Sequence, residues 1–299
     1  MWTFRAMNTE ITITAPALSE ADERQLAADA AQLFAETERR FSRFREDSEL
    51  SALNRASQPI VVSPELLELL LAARRHAADT AGLFDPAIGA ALVTAGYDRS
   101  FSPGALDRDA PILNPPTAPS EDLAIDEHAR RVTRPHGLQL DFGGFLKGRT
   151  VDRAAATARG AIVVDAGGDA MLRGSGVDGA GWLVDVEDPW DARATVATLR
   201  VRDRAVATSA PNRRRWRAGS EQAHHLIDPR TGTPSRSDLA QVTIVAPTAE
   251  RADVMAKAVF LLGAADGARF VVGRDDLGAV LVTRTGDTRA VGDVELAHA

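Results

Sequence analysis

The sequence predicts an α+β protein: a mixed, mostly antiparallel sheet packed by helices. Two patterns predict it. Long stretches with helical spacing and start signals lie near residues 19–40, 63–82 and 248–262. Between residues 161 and 246 short alternating segments follow one another closely, as they do in antiparallel sheets. The chain of 299 residues, 44% hydrophobic and 26% charged, is long enough for one large domain or two moderate ones around a real core. Residues 1–299 show no internal repeat and no clean linker, so they read as a single domain.

In chain order, residues 9–14 alternate and read as a strand. Ser19 caps a helix whose first turn holds Glu20, Asp22 and Glu23, with Leu26, Ala30, Leu33 and Phe34 on one face, ending near Arg40. Asp47 and Ser48 precede a short helix reaching Leu53. Ser63, Pro64 and Glu65 open the next helix, which buries Leu66, Leu67, Leu70, Leu71 and Ala78 and stops at Gly82. Phe84, Asp85 and Pro86 turn the chain into another short helix ending near Gly96, and the turn points amides outward toward a ligand. Residues 99–119, rich in Pro, Ser and Ala, read as a long mobile loop or lid. Strands are expected at 123–126, 131–134, 161–165, 171–173, 182–187, 194–201, 205–209, 241–246 and 279–283, with a frayed tail after Val294. Thr248 caps the last long helix and Gly263 stops it.

Composition excludes several functions. The formal net charge of -7 disfavours non-specific nucleic-acid binding, and alternation puts half of the basic run 213–217 on one solvated strand face. The absence of cysteine removes disulfides, thiolate metal sites and a cysteine nucleophile. No run approaches ~20 apolar residues, so no membrane segment is expected, and without a signal-peptide pattern the expected location is cytoplasmic.

Four stretches carry chemistry. Residues 224–232 bring His224 and His225 into a short strand that ends in an Asp-Pro turn and a loop of Arg230, Thr231 and Gly232. This pattern suits an anion and a proton transfer; it also suits a β-turn with surface histidines. In residues 138–152 a strand ends at Asp141, Gly143 and Gly144 make a tight turn, and Lys147 enters the first turn of a helix. The spacing matches neither a Walker loop nor a dinucleotide fingerprint, so it is either an anion cradle or a plain strand–helix connection. Residues 41–54 interleave aromatic, basic and small polar side chains, with Phe44 a possible platform for a flat ligand. Asp253 and Lys257 stand one helical turn apart. An exposed pair of this kind contributes about 0.3–0.5 kcal/mol, but Ala252, Ala256, Val259 and Phe260 make this side apolar.

Together, residues 41–54, 84–89, 140–152, 165–169, 207–209, 225–232 and 251–258 resemble, in order, the motifs of the FAD:protein FMN transferase family, the ApbE type. The resemblance implies an ApbE-like, T-fold-related architecture of two lobes with FAD in a cleft between them. It implies transfer of the FMN half of FAD to a Thr or Ser hydroxyl of an acceptor protein, with release of AMP. Met7, Phe44, Phe84, Asp85, Pro86, Asp141, Lys147, His225 and Thr231 are then the FAD-side residues. His225 is the catalytic candidate, together with Asp253, and the Gly144 carbonyl and Asp253 are the implied magnesium ligands. Three positions depart from the family pattern. Lys257 stands where the family has a ligand Thr and can fill the cation position itself; Asn8 and Ala210 stand where it has Gly. Hydrolysis of FAD by water, and FAD binding without turnover, are the alternative functions.

Overall fold

The structure is a computed structural model that describes residues 1–112 and 118–298. Residues 113–117, inside the segment expected to be mobile, lie outside the described residues. Strands β1 (Trp2–Ala6) and β2 (Thr9–Thr14) precede helices α1 (Glu20–Phe41) and α2 (Glu49–Arg55). Strand β3 (Ile60–Val61), helices α3 (Pro64–Asp79) and α4 (Gly89–Ala95), and strands β4 (Ala124–Asp126) and β5 (Arg131–Thr133) lead to helix α5 (Leu146–Ala156). Strands β6 (Ile162–Asp165), β7 (Asp169–Arg173), β8 (Trp182–Glu187), β9 (Thr195–Val201) and β10 (Arg204–Ser209) run in series. Next come β11 (Arg215–Ala218), β12 (Glu221–His224), β13 (Ile227–Asp228), β14 (Thr233–Pro234) and β15 (Leu239–Ala246). Helix α6 (Ala249–Val272) and strands β16 (Gly278–Thr283), β17 (Thr288–Gly292) and β18 (Glu295–His298) close the chain. No helix among the described residues is long and apolar enough to cross a membrane.

Two compact units emerge. The first comprises Met1–Ala35, Phe145–Ala210 and Ser237–Ala299. Its main sheet has eight strands in the order β1-β2-β6-β7-β10-β15-β16-β17, every neighbouring pair antiparallel. Helices α5 and α6 pack against its central strands and against each other. A second sheet, β18-β9-β8, packs on the large one through Val186, Ala197, Leu199 and Val201, which meet Leu172, Val206, Val245 and Val280. Strand β15 is therefore covered on both faces, and from Gln241 to Ala246 every residue is buried.

The second unit comprises Glu36–Gly144 and Pro211–Arg236. It holds α2, α3 and α4, the small sheet β3-β5-β4 and the ribbons β11-β12 and β13-β14. Its core collects Leu92, Ala95, Tyr97, Leu106, Trp216 and Ile227. Leu106 is buried and the Arg108 amide donates to the Arg217 carbonyl, so this part of residues 99–119 is held in place.

The helix starts follow the expected chemistry. Ser48 accepts the Ser51 amide, Ser63 the Leu66 amide ahead of Pro64, and Thr248 the Arg251 amide. Four elements differ from the expectation. Residues 138–141 form no strand, only an isolated bridge between Gln139 and Ile88. The tail after Val294 is not frayed, because Glu295 pairs with Arg200 and Leu296 with Leu199. Gly263, at φ 80, breaks the last helix as expected, but helix resumes beyond it to Val272, with the Ala264 amide capped by Asp238 at 2.9 Å. Helix α3 buries Leu66, Leu69, Leu70, Ala72 and Ala73, a stripe rotated away from Leu67, Leu71 and the exposed Ala78.

The crossing of α5 and α6 is unusually close. A Cβ at Gly148 would lie 2.3 Å from the Ala249 carbonyl oxygen, so only glycine allows this approach. One turn on, the Asp152 carboxylate accepts the Ala249 amide at 2.8 Å and the Glu250 amide at 2.9 Å, while Thr248 takes the Arg251 amide. Three of the otherwise unsatisfied amides of α6 are thereby capped from two sources. Arg149 adds an ion pair to Glu250 at 3.0 Å.

Burial pushes the Asp152 carboxyl up to about 6, against the two amide bonds that favour its charge. The folded chain therefore binds this proton more tightly than the unfolded chain, and the stability linked to this group falls as pH rises through about 6. Asp152→Asn removes the titration. As pH is lowered from neutral to about 5, the melting temperature of the native protein should rise relative to the variant. A pH-independent difference between the two melting curves would refute this account of Asp152.

Candidate active site

In the first unit, β6 ends in a turn through Gly167 and Gly168, at φ 67 and 100, and β7 begins with Asp169. Asp165 accepts the Gly168 amide at 2.9 Å, which tightens the turn. Asp169 is buried, and the Lys147 ammonium from the first turn of α5 sits against its Oδ2. Lys147 also donates to the Ala166 carbonyl at 2.9 Å. On α6, Asp253 is buried with Lys257 Nζ against its Oδ1, and the same ammonium reaches the Asp253 carbonyl at 3.3 Å. The two ion pairs form one group. Burial raises the pKa of Asp253 first, the Asp169 charge raises it further, and Lys257 and Lys147 oppose both. Asp253 Oδ2 is buried and has no hydrogen-bond partner among the described residues.

The Met7–Asn8 hairpin belongs to the same unit. Ala6 pairs with Thr9, leaving a two-residue loop with φ 49 and 59, the left-handed geometry of a type I′ turn. Asn tolerates this conformation best after Gly, which suits Asn8 to this turn. Thr9 packs where a side chain on Gly167 would stand, 2.0 Å from its hydroxyl oxygen. Thr208 shares its hydroxyl with Thr243 at 2.9 Å, while Ser209 and Ala210 are buried.

The second unit carries the aromatic and imidazole groups. The Arg43 guanidinium lies 4.1 Å from the centroid of the Phe44 ring and 5.0 Å from that of Tyr97. It pairs with Asp141 Oδ2 and donates to the Tyr97 carbonyl at 2.7 Å. Phe44, Tyr97 and Trp216 form a run of tilted rings at 5.4 and 5.5 Å. Asp141 Oδ1 accepts the Gly143 amide at 2.7 Å, and a Cβ on Gly143 would strike the same oxygen at 2.8 Å. Gly144 is the last residue of this segment of the unit.

The Phe84–Pro86 turn is folded inward, unlike the outward amides expected for it. The Phe84 amide donates to Thr80 Oγ1 at 3.0 Å, and Asp85 accepts the amides of Ala87 at 2.7 Å and Ser120 at 3.0 Å. Pro86 offers its carbonyl to the Asp141 amide at 2.8 Å. The loop after Asp228 is likewise self-contained. Asp228 takes the amides of Arg230, Thr231 and Gly232 and holds the Arg230 side chain at 2.7 Å. Gly232 has the expected positive φ, 69, but the amides converge on Asp228 and not outward. Thr231 pairs with Thr233 at 2.9 Å.

The two histidines have different environments. His224 is buried; Leu226 donates its amide to Nδ1 at 3.3 Å, so Nε2 carries the proton and donates to the Ser235 carbonyl at 3.0 Å. His225 is half-buried, and its Nδ1 faces the Arg214 carbonyl at 3.4 Å. A carbonyl only accepts, so Nδ1 carries the proton and Nε2 is the basic atom.

Residues 7–281 match the ApbE family profile. The chain belongs to the ApbE family. It is 34% identical to a Treponema pallidum protein named FAD:protein FMN transferase, over 73% of this chain and 66% of that protein. A Vibrio cholerae protein of the same name is 28% identical over 89% of this chain and 82% of its own. The fold matches the ApbE protein of Thermotoga maritima with a TM-score of 0.82 at 24% identity, covering 97% of this chain and 96% of that one. The Vibrio cholerae flavin transferase ApbE follows at 0.78 and 24%, with the same coverage.

Against the magnesium site that family resemblance implies, the donor chemistry of this chain does not fit. The two buried carboxylates of the first unit are already matched by two ammonium groups. Asp169, Arg43 and Tyr97 had no role in the sequence reading. Asp169 opens a strand after a double glycine, and Arg43 stands between Ser42 and Phe44; those are the only local signals.

Arg43→Met leaves the half-buried Asp141 carboxylate with the Gly143 amide but without its guanidinium partner. Urea unfolding should register a loss of about 3–5 kcal/mol, with Arg43→Lys losing less because the charge remains. A loss under about 1 kcal/mol for Arg43→Met would show that water replaces the guanidinium at little cost.

Proposed function

We propose that this chain transfers the FMN half of FAD to a Thr or Ser hydroxyl of an acceptor protein and releases AMP. Family membership and the similarity to proteins named FAD:protein FMN transferase support the reaction. The observation that carries it in this chain is the pair of ammonium groups, Lys147 and Lys257, set in front of buried carboxylates. A pyrophosphate needs fixed positive charge, and preorganised side chains supply it without reorganisation.

The reaction is a displacement at phosphorus. The acceptor hydroxyl oxygen forms a bond to the phosphorus of the FMN half. The bond from that phosphorus to the bridging oxygen breaks, and AMP leaves with that oxygen. The hydroxyl proton goes to a base, for which His225 Nε2 is our candidate, its ring held by the Nδ1 hydrogen bond to Arg214. Lys147 and Lys257 oppose the charge that grows on the departing phosphate. Phe44 offers the flat ring system a stacking face, and Asp141, held by Arg43, borders it. Met7, Phe84, Asp85, Pro86 and Thr231 belong to this reading as FAD-side residues through the resemblance alone. Magnesium takes no part in this reading, because the carboxylates are already paired with Lys147 and Lys257. A cytoplasmic location belongs to the same proposal.

The test is AMP release from FAD with and without a threonine-bearing acceptor peptide, followed by denaturing gels read for flavin fluorescence. AMP only with acceptor, and flavin that survives denaturation, is the expected result. AMP and free FMN without acceptor would make the chain a hydrolase; bound FAD with no AMP would make it a flavin-binding protein. His225→Ala should keep FAD affinity and slow transfer by about 10²–10⁴-fold. Unchanged transfer would remove His225 from the chemistry.

A further inference from the structure

We propose that the Lys257 ammonium stands in for a divalent cation in this chain, so that FMN transfer is metal-independent and the phosphates meet two side-chain cations, Lys257 and Lys147. This rests on the transferase reading above and concerns how that reaction obtains its positive charge.

Within the first unit, Asp169 and Asp253 supply two negative charges and Lys147 and Lys257 two positive ones. Helices α5 and α6 and strand β7 pack together, so Lys147 and Asp169 both act on the Asp253 carboxylate. The cluster is neutral as it stands. Without FAD, a divalent cation bound to it would leave a net charge of +2 in a place with little water to screen it.

Geometry leads to the same conclusion. Lys257 lies one turn beyond Asp253 on α6, and its Nζ rests on Oδ1. A metal approaching the remaining oxygen, Asp253 Oδ2, would share a single carboxylate with that ammonium. Magnesium needs oxygen ligands in near-octahedral order at about 2.0–2.1 Å, a demand a neighbouring cation opposes.

Exposure decides which charge a ligand meets. The lysine side chains are 16% and 20% exposed, their aspartates 3% and 5%. The carboxylates are the more deeply buried partners and the lysine side chains the more exposed ones, an arrangement that favours an anion over a cation. A lysine is also covalently fixed on the helix, so its effective concentration does not vary with the ion content of the medium.

The experiment uses the full chain freed of metal by chelation. AMP release from FAD with the acceptor peptide is compared in EDTA and in millimolar magnesium, and Mn²⁺ binding with FAD present is followed by electron paramagnetic resonance. The native protein should turn over equally in both media, within about twofold, and show no saturable Mn²⁺ site. Lys257→Thr, which uncovers Asp253, should lose about a hundredfold in EDTA, recover with magnesium and gain a Mn²⁺ site. Asp253→Asn/Lys257→Met removes both charges, avoids an unpaired buried one, and should remain slow in either medium.

Turnover of the native protein that disappears in EDTA and returns with magnesium would overturn the inference and leave the transferase reading intact. So would one tightly bound Mn²⁺ in the native protein. AMP in no arm, with FAD bound, would overturn the transferase reading and metal-independent transfer with it; Mn²⁺ binding then still decides whether Lys257 excludes a metal.

Discussion

The contact between Gly148 and the backbone at Ala249 is the constraint on which the first unit depends. It sets how close α5 comes to α6, and everything else at the crossing follows from that distance. Asp152 can reach the first amides of α6 only because the helices meet there, and Arg149 reaches Glu250 for the same reason. Lys147 lies one residue before Gly148, and Asp253 one turn into α6. The close crossing thus brings a lysine of one helix and an aspartate of the other to the same end of the sheet. A larger residue at 148 would separate the helices before it affected any functional side chain directly.

The ion pairs at that end illustrate why burial alone does not identify a stabilising interaction. Removing two carboxylates from water is costly, and their partners recover part of that cost at best. An apolar cluster of the same volume would fold at least as well. The charges are therefore best understood through what they present to a ligand. The second unit follows a similar logic with different materials: Arg43 is held by Asp141 and by a carbonyl, and its flat face is left to the aromatic rings.

Much of this was legible in the sequence. The caps at Ser48, Ser63 and Thr248, the alternating strands from Ile162 onward and the Asp253–Lys257 spacing were readable because each depends on neighbours within a few residues. What escaped depends on distant partners. Strand β1 is short and half-exposed, and exists through its pairing with β2. Strand β18 needs β9, and the helix beyond Gly263 needs Asp238 to receive its first amide. The loops at Phe84 and Asp228 carry ligand-like composition, yet their polar groups close on one another. Residue type alone cannot say whether a turn faces inward or outward. Asp169 closes the 165–169 motif with no visible role in the sequence, because its partner Lys147 lies across a helix and a strand.

The path of the chain has a consequence for biogenesis. Strand β2 carries Ile11 and Ile13, both fully buried in the finished sheet, and its inner neighbour is β6. About 150 residues separate these partners, which at about 5–20 residues per second delays their meeting by on the order of ten seconds or more during synthesis. Throughout that time the second unit's first segment, Glu36–Gly144, is emerging from the ribosome. The nascent N-terminal hairpin has an unsatisfied edge and an apolar face, the kind of surface that chaperones recognise. The interval ends only as β6 and β7 appear, and β9 waits longer still for its outer partner, supplied by the last strand of the chain.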